Sequence, residues 1–255
     1  MLDKVLASTR RRLPGVIARQ DDLRRTVRDM PPARRFAEAL TAPGLSVIAE
    51  FKRASPSKGV INAGMVPGEQ AASFQAGGAS ALSVLTEPDH FLGGPDDLRD
   101  AREAVSLPVL RKDFTLDPAQ VWETRAMGAD AVLLIVSLLD DPLLSALIET
   151  ATEAGLTALV EVHDRLEAKR ATEAGATVIG VNNRDLRTFR VDLATSERIA
   201  PLLDDVDVRV AESGVHGPAD AARLRDAGYD AVLVGEYLSR AEDAGTAVRG
   251  LKALP

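Results

Sequence analysis

At 255 residues the chain has room for one large domain or two small ones, and a single (β/α)₈ barrel of about 250 residues fits that length. Hydrophobic residues make up 45% and charged residues 27%, the profile of a folded globular protein, and a net charge of −7 disfavours a general nucleic-acid binder. The absence of cysteine excludes a disulfide framework, a cysteine nucleophile, thiolate zinc sites and iron–sulfur clusters, and suits a cytoplasmic protein.

Residues 1–44 read as an amphipathic helical extension, with Pro14-Gly15 breaking its first segment and Pro31-Pro32 opening another near Ala33–Leu40. Arg10-Arg11-Arg12-Leu13 superficially matches a twin-arginine signal. The Pro14-Gly15-Val16-Ile17-Ala18-Arg19 that follows is not the uncharged apolar stretch such a signal needs, so the arginines read as a solvated helix face. From Leu45 onward, short apolar runs alternate with helix-length segments. The candidate strands are Ser46–Phe51, Ala81–Thr86, Pro108–Lys112, Ala131–Val136, Ala158–Val162, Val178–Asn182, Asp207–Glu212 and Ala231–Gly235. Most are continuous runs of Val, Leu, Ile and Ala, as expected of parallel strands covered on both faces. The longest apolar stretch, Ala131–Leu139, is shorter than the roughly 18–20 residues of a membrane span.

Gly78, Gly128, Gly175 and Gly228 each precede an apolar strand, at spacings of 50, 47 and 53 residues. Each reads as a left-handed helix terminator. The period matches two βα units, and eight parallel units close naturally into a barrel. An open doubly wound sheet would want a Gly-rich phosphate loop after its first strand. The segment there, Lys52–Gly59, has none.

Barrel active sites lie at the C-terminal ends of the strands. Those ends supply Glu50 and Lys52, Lys112, Glu161, Asn182, Glu212 and Ser213, and Gly235. Strand parity sets Glu50 with Lys52 on one face and gives Lys112, Glu161 and Glu212 the same facing as the apolar residues two positions earlier. Three glutamates and two lysines would then crowd one barrel mouth and must pair, with perturbed pKa values. After the last two strands, Ser213-Gly214-Val215-His216 and Gly235-Glu236 offer backbone donors for a phosphate. The Ser55–Gly59 loop reads as a flap over the site. Phe91, Phe114 and Phe189 fall in loops, a hint of an aromatic substrate. His90, His163 and His216 have no metal-ligand spacing, and His163 reads as a structural residue at a helix start.

Seven segments in order, Ile48–Gly59, Leu82–Thr86, Val109–Phe114, Leu159–His163, Ile179–Leu186, Ala211–Val215 and Leu233–Glu236, resemble the indole-3-glycerol phosphate synthase family. The resemblance runs from about residue 45 to 240 and implies one (β/α)₈ TIM barrel domain of the ribulose-phosphate-binding type over 1–255, with 1–44 as its N-terminal helical extension. It implies ring closure of 1-(2-carboxyphenylamino)-1-deoxyribulose 5-phosphate, with loss of carbon dioxide and water, in tryptophan biosynthesis. It implies that no metal or organic cofactor is needed, while charge and the short apolar runs argue against nucleic-acid and membrane partners, and the chain is expected to be a cytoplasmic monomer. By resemblance, Lys112 is the general acid, and Glu161 is the base of the closing steps. Lys52 binds the substrate carboxylate and supplies a later proton. Glu50, Asn182, Glu212 and Ser213 orient these groups. Ser55, Arg184, Phe91 and Phe114 contact substrate, and Gly214, Gly235 and Glu236 hold phosphate. Two other readings stay open at this point. One is a class I aldolase with Lys112 or Lys52 as its imine-forming lysine. The other is a non-catalytic barrel that binds a phosphate ligand.

Overall fold

The computed structural model describes residues 2–56, 59–185 and 188–253. Ser57 and Lys58 of the expected flap, and Leu186 of the fifth segment, lie outside the described residues. Eight parallel strands form a closed barrel: β1 Ser46–Phe51, β2 Ala81–Leu85, β3 Val109–Lys112, β4 Ala131–Ile135, β5 Thr157–Val162, β6 Val178–Asn182, β7 Val208–Glu212 and β8 Ala231–Val234. Neighbours follow chain order, and β8 closes on β1 in the register Ile48↔Leu233. Each strand lies within a residue of its expected ends. Gly78, Gly128, Gly175 and Gly228 have φ of +89°, +95°, +83° and +92°, the left-handed turn that ends each preceding helix.

Two apolar layers hold the barrel. Side chains on the outer face of the strands, such as Val47, Val132, Val160 and Val232, pack under the surrounding helices in one large cluster. Inward residues, including Ile48, Leu110, Leu133, Leu159, Val178, Val208 and Leu233, form a second cluster inside the barrel. The N-terminal segment meets that inner cluster through its last helix. It consists of α1 Leu2–Ile17, α2 Gln20–Arg28 and the short α3 Phe36–Leu40. Phe36 and Leu40 are fully buried beside Ala81, Val178, Val208 and Ala231 at the strand starts, so α3 plugs the bottom of the barrel.

Two expectations for this segment are corrected. Pro14 does not break α1, which runs on to Ile17. A proline this close to a helix end forfeits one backbone bond, and its carbonyl still accepts from Ala18 at 3.0 Å. The second is that Arg12 is not part of a solvated face. It turns inward, and its Nη2 stands 3.5 Å from the buried Asp113.

Candidate active site

Parallel register carries the charged strand ends to one level. Ile135 of β4 pairs with Glu161 of β5, and Asn182 of β6 pairs with Glu212 of β7. Lys112, the last residue of β3, reaches across the mouth. Its Nζ donates to Glu161 Oε2 at 3.1 Å and also to Glu212 Oε2. Asn182 Nδ2 donates to the other oxygen of Glu161 at 3.0 Å, and Asn182 Oδ1 accepts from the Arg184 backbone at 3.0 Å. On the opposite side Lys52 Nζ donates to Glu50 Oε1 at 2.6 Å. Glu50, Glu161, Asn182 and Glu212 are all buried.

Glycine makes the space. A Cβ at position 180 would overlap Glu212 Oε1, and one at position 235 would overlap Glu50 Oε1 and stand 2.9 Å from Lys52 Nζ. Only the missing side chains of Gly180 and Gly235 allow two carboxylates to fold into the barrel against neighbouring strands.

Enclosure sets the electrostatics. Burial works against the Lys112 ammonium, but Glu212, Glu161 and Glu50 outweigh it and hold its pKa well above the ordinary lysine value. Burial likewise works against the Glu161 carboxylate, yet Lys112, His163 and Asn182 hold it far below the usual carboxylate range. Glu212 goes the other way. Burial, with Glu161 and Glu50 nearby, pushes it up to about 7 despite Lys112. Its Oε1 is buried and accepts no hydrogen bond from the described residues. The site thus holds one firmly ionised carboxylate and one that titrates near neutrality, either side of one ammonium.

The cavity holding these charges is also lined by the apolar Leu85, Phe91, Phe114, Leu133 and Ile135, with Leu2 and Val5 of α1 beside them. Phe91 and Phe114 stand 6.4 Å apart, tilted by 42°. Phe189 lines the same cavity. So do Ser55, Arg184, Ser213, Gly214, Gly235 and Glu236, and every residue given a site role by the resemblance lines this one space. Ser55 sits in a short antiparallel hairpin, Ala54–Ser55 with Gly59–Val60. Ser213 adopts φ +63° and Gly214 φ +90°, which turns the chain sharply over the barrel rim after β7.

Three supporting features escaped the sequence reading. Asn183 donates to the Glu212 and Ser213 carbonyls at 3.1 and 3.2 Å, and its Oδ1 accepts from Ser196 N and Oγ, so it holds the turn after β7. Asp113 accepts from Thr86 and from the Phe114 amide, pairs with Arg111, and meets Arg12 of α1, which ties the N-terminal helix to the strand end carrying Lys112. His163 stands 3.2 Å from Glu161 and 3.0 Å from Glu167. The sequence signal for that last pair was Asp164 followed by Glu167, a helix-capping spacing directly after Glu161.

Fold and site together define an acid–base enzyme of the barrel class: a catalytic-type cluster at the C-terminal mouth, in a cavity lined by aromatics, with glycine-bearing loops after β7 and β8. The indole-3-glycerol phosphate synthase family model matches residues 2–251, and the chain belongs to that family. An indole-3-glycerol phosphate synthase 2 of Streptomyces coelicolor is 54% identical over 87% of this chain and 86% of its own length. An indole-3-glycerol phosphate synthase of Mycolicibacterium smegmatis is 49% identical over 98% of this chain and 93% of its own. Among solved structures, a thiamine phosphate pyrophosphorylase from Pyrococcus furiosus superposes with a TM-score of 0.63 at 19% identity, over 85% of this chain and 96% of that one. At that identity the likeness is one of fold alone. Among the described residues no helix is long and apolar enough to cross a membrane.

Proposed function

We propose that this chain closes the ring of 1-(2-carboxyphenylamino)-1-deoxyribulose 5-phosphate and releases carbon dioxide and water to give indole-3-glycerol phosphate. The observation that carries this reading is Lys112 held between Glu161 and Glu212 in one cavity with the Phe91–Phe114 pair, in a chain of this family. We assign the whole of 1–255 to one barrel domain with 1–44 as its extension, acting in the cytoplasm on this phosphorylated substrate.

In our reading the anthranilate ring lies against Phe91 and Phe114, and the phosphate meets backbone N–H groups at Gly214, Gly235 and Glu236. Pinning both ends folds the substrate and brings the ring carbon bearing the carboxylate to the ketone carbon. That carbon attacks, and the ketone oxygen takes a proton from Lys112, which is general acid catalysis. Carbon dioxide then leaves, and its bond electrons restore the benzene ring. The new hydroxyl departs as water with a proton from Lys52. Glu161 removes a proton from the adjacent methylene, and the indole double bond forms. Glu50 and Glu212 hold the two lysines, Asn182 orients Glu161, and Ser55, Arg184 and Ser213 contact the ribulose and carboxylate groups.

An imine mechanism fits the site poorly. It needs a neutral lysine amine, whereas the pairing of Lys112 with two carboxylates favours its ammonium. The test is fluorescence of the indole product after mixing the protein with this substrate. A rise over the enzyme-free control supports the reading. Silence from folded protein, or an adduct trapped by borohydride, refutes it.

A further inference from the structure

We infer that His163, protonated and clamped between Glu161 and Glu167, is a positioning residue that keeps the proposed base in its ionised, substrate-facing state after Lys112 has given up its proton. The inference rests on the reading of Glu161 as base.

The local sequence builds the clamp. Strand β5 ends at Val162, and helix α4, Arg165–Glu173, begins three residues later. Asp164 caps that helix by accepting from Glu167 N at 2.9 Å. The Glu167 carboxylate folds back and accepts from His163 N at 2.8 Å, and it lies 3.0 Å from Nδ1. The ring is therefore fixed on one edge. Its other edge presents Nε2 to Glu161 Oε1 at 3.2 Å, an ion-pair distance without the alignment of a straight hydrogen bond. The same Oε1 accepts from Asn182.

The charges around Glu161 show why a second cation matters. Lys112 of β3 bonds it directly, and Glu212 of β7 shares that lysine. Glu50 of β1 acts on both Lys112 and Glu212. The imidazole is faced by Glu161 from the end of β5 and by Glu167 from α4. When Lys112 donates its proton to the ketone, Glu161 loses its strongest counter-charge just before it must act as a base. His163 is then the remaining cation beside it. Burial disfavours a charged imidazole, but the two glutamates raise its pKa to about 10, so it stays cationic through neutral pH.

Removing a cation raises a neighbouring carboxyl's pKa, so the base would be protonated up to a higher pH. His163→Asn is expected to lower kcat about tenfold or more while KM stays within about threefold. The acid limb of its kcat–pH profile should move up by about one unit. Glu167→Gln should move the limb the same way by less. Nitrogen-15 shifts of the His163 ring in the folded wild-type protein give a reading that needs no variant to fold, and both ring nitrogens should carry protons at about pH 8. A neutral ring there would overturn the inference, as would a wild-type acid limb in His163→Asn alongside an inactive Glu161→Gln. Turnover surviving in Glu161→Gln would instead overturn the reading of Glu161 itself, and this inference with it.

Discussion

Glu212 Oε1 occupies the place that a Cβ would take at position 180, so the Glu212 carboxylate and the bare backbone of Gly180 are fitted to each other. One partner is the last residue of β7 and the other lies mid-strand in β6. The contact sets the side from which Glu212 meets Lys112. Gly180→Ala should push that carboxylate away from its lysine. A displacement of about 1 Å at a catalytic group costs roughly 100-fold in rate. We expect a kcat loss of that order with a native circular dichroism spectrum. A wild-type kcat would show that the placement of Glu212 is not critical.

Glu212 also predicts how stability depends on pH. Its pKa rises from the ordinary 4.5 to about 7 on folding. Between those values the folded state holds a proton that the unfolded chain has released. The stabilising contribution is therefore full below the unfolded value and is lost as pH rises through about 7. Glu212→Gln lacks this slope. It should melt a few degrees above the wild type near pH 8, with the gap closing toward about pH 5, and it should lose activity. Melting curves at both pH values check this, and a constant offset between the two proteins would contradict it.

Phe36 separates stability from chemistry. It is fully buried at the barrel bottom, the far end from the charged cluster. Phe36→Ala should cost about 3–5 kcal/mol in denaturant unfolding. Turnover per folded molecule should be unchanged below the transition. A fall in kcat equal to that of a site variant would mean that the two barrel ends communicate.

The aromatic pair gives a binding prediction. Phe91 and Phe114 both line the cavity, and both are only partly buried. Removing one ring face from an aromatic substrate costs on the order of 1 kcal/mol beyond the lost area. Phe91→Ala should raise KM by about tenfold and leave kcat within about threefold. Steady-state kinetics decide, and a kcat-only effect would place the anthranilate ring elsewhere.

Most of this architecture was legible in the sequence because two local signals agreed. Runs such as Val178–Asn182 are apolar on both faces, which only a parallel strand covered inside and outside explains. The left-handed glycines before each of four strands fixed the period. Parity then set the facing of Lys112, Glu161 and Glu212, since alternation along a strand is fixed by covalent geometry. What stayed hidden depended on contacts between segments far apart in sequence. The path of Arg12 toward Asp113 spans 101 residues and leaves no periodic trace. Asn183 looks like one more polar loop residue until Ser196 and the turn after β7 are brought to it. His163 was read as a helix-start residue, which it is. Its second contact, with Glu161, depends on the ring orientation that Glu167 imposes.

The central claim is that Lys112 delivers the proton that drives ring closure. The most direct measurement is single-turnover formation of the indole product by Lys112→Ala beside the wild type, with circular dichroism on both. We expect a folded variant whose product formation falls at least about 1,000-fold, midway in the usual range of a general-acid contribution. Product formed by the variant at a rate near that of the wild type would contradict it.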